Sequence, residues 1–231
     1  MTAGLLLAGA LAADWWFLRG GGGGPRDRER RYRRWLRRAP LAMLVPTLVA
    51  LAVLGRVDAL WILPAEFAAV RAMLPAIGAE QVLVGSLAGV AGGLMVVAVR
   101  AWGGHRPRGA MARLVPHTPH ERRWGAAVAL ATGVVEEPFF RLLLPLLTAL
   151  ATGSAVTGFA LATLLFALGH RYQGPRRMLA AGAFGAVLAA FYLISGQLWL
   201  VVLLHIFVNA GPMIVWPLVS SSGASRSGRS R

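Results

Sequence analysis

The chain contains no cysteine and no lysine, and only nine of its 231 residues are acidic. The first absence excludes disulfides, thiolate nucleophiles and thiolate zinc sites. The second leaves arginine as the sole strongly basic type, 24 residues that give a formal net charge of +15. No platform of interleaved aromatic and basic residues accompanies those arginines, so nucleic acid is set aside as a partner. Polar character is also scarce. Hydrophobic residues make up 57% of the chain and the mean hydropathy is +0.61. They come in long unbroken runs, not in the alternating or periodic patterns of water-facing elements. The expected fold is all-α, a polytopic transmembrane helical bundle in contact with the lipid bilayer.

Seven runs read as spans: residues 2–18, 40–55, 80–102, 122–150, 154–170, 178–195 and 197–217. The first is not a signal peptide, because its arginines follow the apolar core instead of preceding it. A glycine hinge is expected at 20–24. Residues 26–38 are strongly basic with Tyr32 and Trp35 interspersed, either an interfacial helix against anionic headgroups or a solvated loop. Gly85, Gly89, Gly92 and Gly93 in the third run, and Gly182, Ala186 and Ala190 in the sixth, are expected to allow close helix contact. Thr118-Pro119-His120-Glu121 reads as a helix start with a capping box, which assigns His120 and Glu121 to a cap and not to a metal site.

With seven alternating spans, 21 of the 24 arginines fall on one side. The positive-inside rule then places the N-terminus outside and the C-terminus in the cytoplasm of a multi-pass plasma-membrane protein. The expected division is 1–121, three spans with basic cytoplasmic loops; 122–217, a catalytic core of four spans; and 218–231, a disordered basic tail.

One stretch interrupts the apolar pattern. Glu136, Glu137 and Arg141 stand in the middle of a run that is otherwise apolar from Trp124 to Ala151, about 40 Å long as a helix. Each charge at bilayer depth costs roughly 2.5–3.5 kcal/mol, so three together require a reason. Glu137 and Arg141 are i and i+4 and can pair. Glu136 lies about 100° round the helix and has no such local partner. Pro138 removes one backbone hydrogen bond and frees the carbonyl of Val134, so a kink is expected beside the carboxylates.

Few other strongly polar groups occur at that depth. His170 ends Phe166-Ala-Leu-Gly-His170, and His205 and Asn209 are i and i+4 on one face of the last run. Such a set suits water-mediated amide hydrolysis. A glutamate can take a proton from water, a histidine can orient the water or protonate the leaving amine, and a histidine–asparagine pair can donate to the oxyanion. Glu136, His170 and His205 could equally hold a zinc ion with water in the fourth position. Spacing alone leaves both arrangements open.

Glu136-Glu137-x-x-x-Arg141, Phe166-x-x-x-His170 and His205-x-x-x-Asn209, in that order on three hydrophobic segments, resemble the CPBP family. This is the CAAX-prenyl-protease and bacteriocin-processing group of intramembrane proteases, also called the abortive-infection family. The resemblance covers about residues 122–215. It implies that Glu136 activates the water with His170 assisting, that His205 and Asn209 stabilise the oxyanion, and that Glu137, Arg141 and Phe166 support them. It leaves zinc open, since both metal-dependent and metal-free schemes are proposed for the family. Leu142 stands where members commonly carry glycine, and Pro138 is uncommon at its place. The implied activity is intramembrane endopeptidase, with a membrane-associated peptide or protein as substrate. Two other readings also bury carboxylates and histidines: a transporter or proton-relay bundle, and an inactive family member serving as an immunity or interaction protein.

Overall fold

The structure, a computed structural model, describes residues 1–19, 28–105, 107 and 109–220. The glycine hinge and the basic tail from 221 onward lie outside the described residues.

Every described element is helical or a turn. Helix α1 (Thr2–Arg19) is followed by α2 (Arg28–Ala39), which continues through a π-helical turn at Pro40–Leu44 into α3 (Val45–Val53). The basic stretch and the expected second span are therefore one rod, Arg28–Val53. Short 3₁₀ turns at Val57–Leu60 and Ala65–Phe67 and the single turn α4 (Ala68–Arg71) lead to α5 (Ala79–Trp102). After α6 (Ala110–Leu114) comes α7 (Pro119–Glu137), which runs through a second π turn, Pro138–Leu143, into α8 (Leu144–Thr152). Helices α9 (Ala155–Gly169), α10 (Pro175–Ser195) and α11 (Leu198–Ala210) complete the bundle, and α11 extends through a third π turn, Gly211–Val215, to Ser220.

Among the described residues four helices, not seven, are long and apolar enough to cross a membrane: Arg28–Val53, Glu80–Trp102, Pro175–Ser195 and Leu198–Ser220. The chain is a multi-pass membrane protein on that count. The physical reasons for the smaller number differ by segment. Helix α9 has 15 residues, about 22 Å at the α-helical rise, which is short of a 30 Å hydrocarbon core. The run through α7 and α8 carries three charges at its centre and is buried inside the bundle. Helix α1 has only 18 residues and contains Asp14 and Arg19.

Each π turn begins at or one residue before a proline, and in each the N–H after the turn reaches back five residues: Val45 to Pro40, Leu144 to Phe139, Trp216 to Gly211. Proline lacks an N–H and its ring crowds the preceding carbonyl, so the ladder widens there. The distortion expected at Pro138 is this π turn.

The Pro138–Thr152 segment is the centre of the protein. Phe139, Leu142, Leu143, Leu144, Leu146 and Leu147 are fully buried, with apolar clusters on either side. Lipid tails are as apolar as leucine, so close packing holds the helices together more than escape from water does. Two glycines make that packing possible. A Cβ at Gly133 would stand 2.5 Å from the Val202 carbonyl oxygen, and one at Gly158 would stand 2.7 Å from Pro145. The glycines of α5 behave otherwise: a Cβ on Gly85, Gly89, Gly92 or Gly93 would meet open space, so the expected contact face is not formed there. On α10 the contact face includes Gly182, Gly185 and Ala189, while Ala186 is exposed.

Candidate active site

Helix α7 starts as its sequence dictates. Thr118 Oγ1 accepts from the Glu121 N–H at 3.1 Å, and the Glu121 carboxylate accepts from the Thr118 N–H at 3.2 Å. That capping box starts a 19-residue helix whose last residues are Glu136 and Glu137. The close approach at Gly133 lays α7 against α11 and brings the two carboxylates to His205.

Glu137 is fully buried, and Glu136 is 8% exposed. His205 Nδ1 donates to Glu137 Oε1 at 2.6 Å, and its Nε2 lies 3.9 Å from Glu136 Oε2. Glu137 Oε2 lies 3.0 Å from Arg141 Nε, the expected i,i+4 pair, as an ion contact without an aligned hydrogen bond. Arg141 is also fully buried. Its guanidinium stacks on the Phe166 ring at 4.8 Å, and a Cβ at Gly185 would approach both Phe166 and Arg141 Nη2. The His205 ring is held edge-on between Phe166, at 5.9 Å, and Phe184, at 5.5 Å. Phe166 therefore braces the cation and the imidazole together.

His170 caps the end of α9. Its Nδ1 donates to the Phe166 carbonyl at 2.8 Å, leaving Nε2 for other partners. Asn209, one turn beyond His205, donates from Nδ2 to Thr132 Oγ1 at 2.7 Å. One N–H of that amide remains for another acceptor. Glu136, Glu137, Arg141 and His205 thus come together in direct contact, Phe166 lies among them, and His170 and Asn209 flank them.

The zinc alternative requires three convergent donors. Among the described residues no group of three His, Asp or Glu side chains could hold a metal ion. As placed, Glu136, His170 and His205 do not converge on such a site.

Two residues near the site are not among those singled out from the sequence. Thr132 is i−4 to Glu136 on the same face of α7, a signal that was present in the sequence. Asp14 on α1 is 2% exposed, with Oδ1 lacking a hydrogen-bond partner among the described residues, and lies within electrostatic reach of Glu136 and Arg171. Helix α1 is docked there by Arg171, whose Nη2 donates to the Leu18 carbonyl at 3.2 Å.

The family model of the Rce1-like type II CAAX prenyl endopeptidases matches residues 119–211, a segment that begins at the first residue of α7 and ends just after α11. Residues 119–211 form an Rce1-like domain. No curated protein and no solved structure matches the chain. The Rce1-like domain carries all of the clustered polar residues except Asp14, and the family consists of endopeptidases.

Proposed function

We propose that the protein is an intramembrane endopeptidase that hydrolyses a peptide bond of a membrane-associated peptide or protein. The observation that supports this most is the relay Glu137–His205–Glu136, in which one carboxylate fixes the imidazole and the second stands free of the Arg141 pair. In this reading Glu136 accepts a proton from water as the oxygen attacks the scissile carbonyl. Asn209, through its remaining N–H, and His205, when protonated at Nε2, donate to the oxyanion. The C–N bond then breaks, the proton passes from Glu136 to the leaving nitrogen with His170 assisting, and the products are a carboxylate and an amine. Glu137, Arg141 and Phe166 position these groups.

The catalytic core is assigned to 122–217, served by helices from 1–121. The basic groups gather at one end of the bundle. Arg38 donates to the Trp16 carbonyl, Arg28 to Ala112 and toward Glu121, and Arg171 to Leu18. Such a concentration supports placing that end on the cytoplasmic side of the plasma membrane. The N-terminal start of α1 then points away from the cytoplasm.

The test is hydrolysis in ¹⁸O-water by the purified protein in lipid vesicles, with a library of membrane-anchored peptides as substrates. Products carrying one ¹⁸O in each new carboxylate support the reading. Intact peptides under all lipid conditions sink it.

A further inference from the structure

Helix α2 gathers five arginines on one face. Arg30, Arg33, Arg34, Arg37 and Arg38 follow the i, i+3, i+4, i+7, i+8 spacing of a single helix face. They line one cavity of about 380 Å³. Arg33 and Arg37 also line an adjoining cavity of about 290 Å³ with Leu36 and Trp124. The two form a continuous trough. Glu29 meets Arg33 within the helix at 2.6 Å and also His120 at 2.8 Å.

Two further features fix the depth and shape of the trough. Trp124 and Trp16 lie beneath the guanidinium groups of Arg33 and Arg38 at 4.6 and 4.0 Å, which orients those planar donors. The same rod continues without a break into the span ending at Val53, so the trough sits where that span enters the headgroup layer. On the opposite face, the Tyr32 hydroxyl donates to the Leu114 carbonyl and anchors α2 to the bundle.

We propose that this trough binds the phosphodiester headgroup of an anionic phospholipid. Guanidinium groups bind phosphate oxygens in bidentate fashion. The continuity with a membrane span selects a lipid over a free anion as the source. This inference stands on α2 alone and does not depend on proteolysis.

The test is thermal unfolding of the full chain in a neutral detergent, titrated with phosphatidylglycerol, phosphatidylcholine or inorganic phosphate. Phosphatidylglycerol is expected to raise the melting temperature, and the other two are not. In the triple variant Arg30→Gln, Arg34→Gln, Arg37→Gln the half-saturating lipid concentration should rise about a hundredfold, near fivefold for each surface arginine lost. The pair Arg176→Gln, Arg177→Gln should respond like the wild type. Equal shifts with phosphatidylcholine, a full effect of inorganic phosphate, or an unchanged response of the triple variant would each overturn the proposal. If the triple variant fails to fold, the three wild-type titrations still decide.

Discussion

His205 Nδ1 and Glu137 Oε1 are 2.6 Å apart in a fully desolvated contact, and Glu137 spends its other oxygen on Arg141. One carboxylate thus serves two cationic or proton-bearing partners. Removing one member of a buried pair leaves an uncompensated charge, at a cost of about 3–5 kcal/mol. Arg141→Met should therefore lower stability strongly, and so should Glu137→Gln, which leaves the guanidinium without its counter-charge. The double variant Glu137→Gln, Arg141→Met should recover much of the loss, because no buried charge then lacks its partner. Unfolding of the three proteins in detergent measures the coupling.

Gly133 should tolerate nothing larger. A Cβ there meets the Val202 backbone, which cannot swing aside as a side chain would. Gly133→Val should separate α7 from α11, destabilise by about 1–3 kcal/mol and pull His205 off Glu137. Gly85→Val, where a side chain enters open space, should leave stability nearly unchanged. Paired melting curves decide this.

Much of this architecture was legible in the sequence, and what was not has a physical cause. The capping box at Thr118, the Glu137–Arg141 pair and the shared face of His205 and Asn209 are local, set by spacing along one helix, and the structure contains all three. The span count failed because apolar runs record burial and not what buries them. Helix α9 and the α7–α8 run face other helices as much as lipid. The α5 glycines failed for the same reason, since small residues permit contact without requiring it. That Glu137, not Glu136, would hold the imidazole depended on helix rotation and tertiary docking, which no spacing rule encodes. Asp14 stayed hidden because α1 lies far from the site in sequence.

Asp14→Leu should stabilise the protein. A buried carboxylate oxygen without a partner costs about 1–3 kcal/mol, and the neighbouring Ala10 and Leu18 face gains a further apolar side chain. The expected readout is a rise in melting temperature of about 2–4 °C per kcal/mol. A fall would show that Asp14 is tied into the fold by contacts beyond those described.

Acid should loosen the loop between the first and second spans. Arg56 donates to both Glu66 oxygens, at 2.7 and 3.0 Å, and this holds the Glu66 carboxyl below its ordinary range. The folded value is depressed, so the stabilisation is present above the unfolded value of about 4.3 and is lost as pH falls through the folded one. Both side chains are about a quarter exposed, which limits the effect to about 1 kcal/mol. The difference in melting temperature between wild type and Glu66→Gln should be full at pH 7, begin to shrink as pH falls through about 4.3, and vanish only below the depressed folded value.

The most direct test of the central claim is cleavage of one membrane-anchored peptide by the wild type and by Glu136→Gln, with a chelator present throughout and melting temperatures recorded in parallel. The account predicts wild-type turnover that the chelator leaves unchanged. In the variant, turnover should fall about 10²–10⁴-fold at near-unchanged stability, because Glu136 is not the partner that neutralises Arg141. Cleavage by Glu136→Gln at the wild-type rate would contradict it.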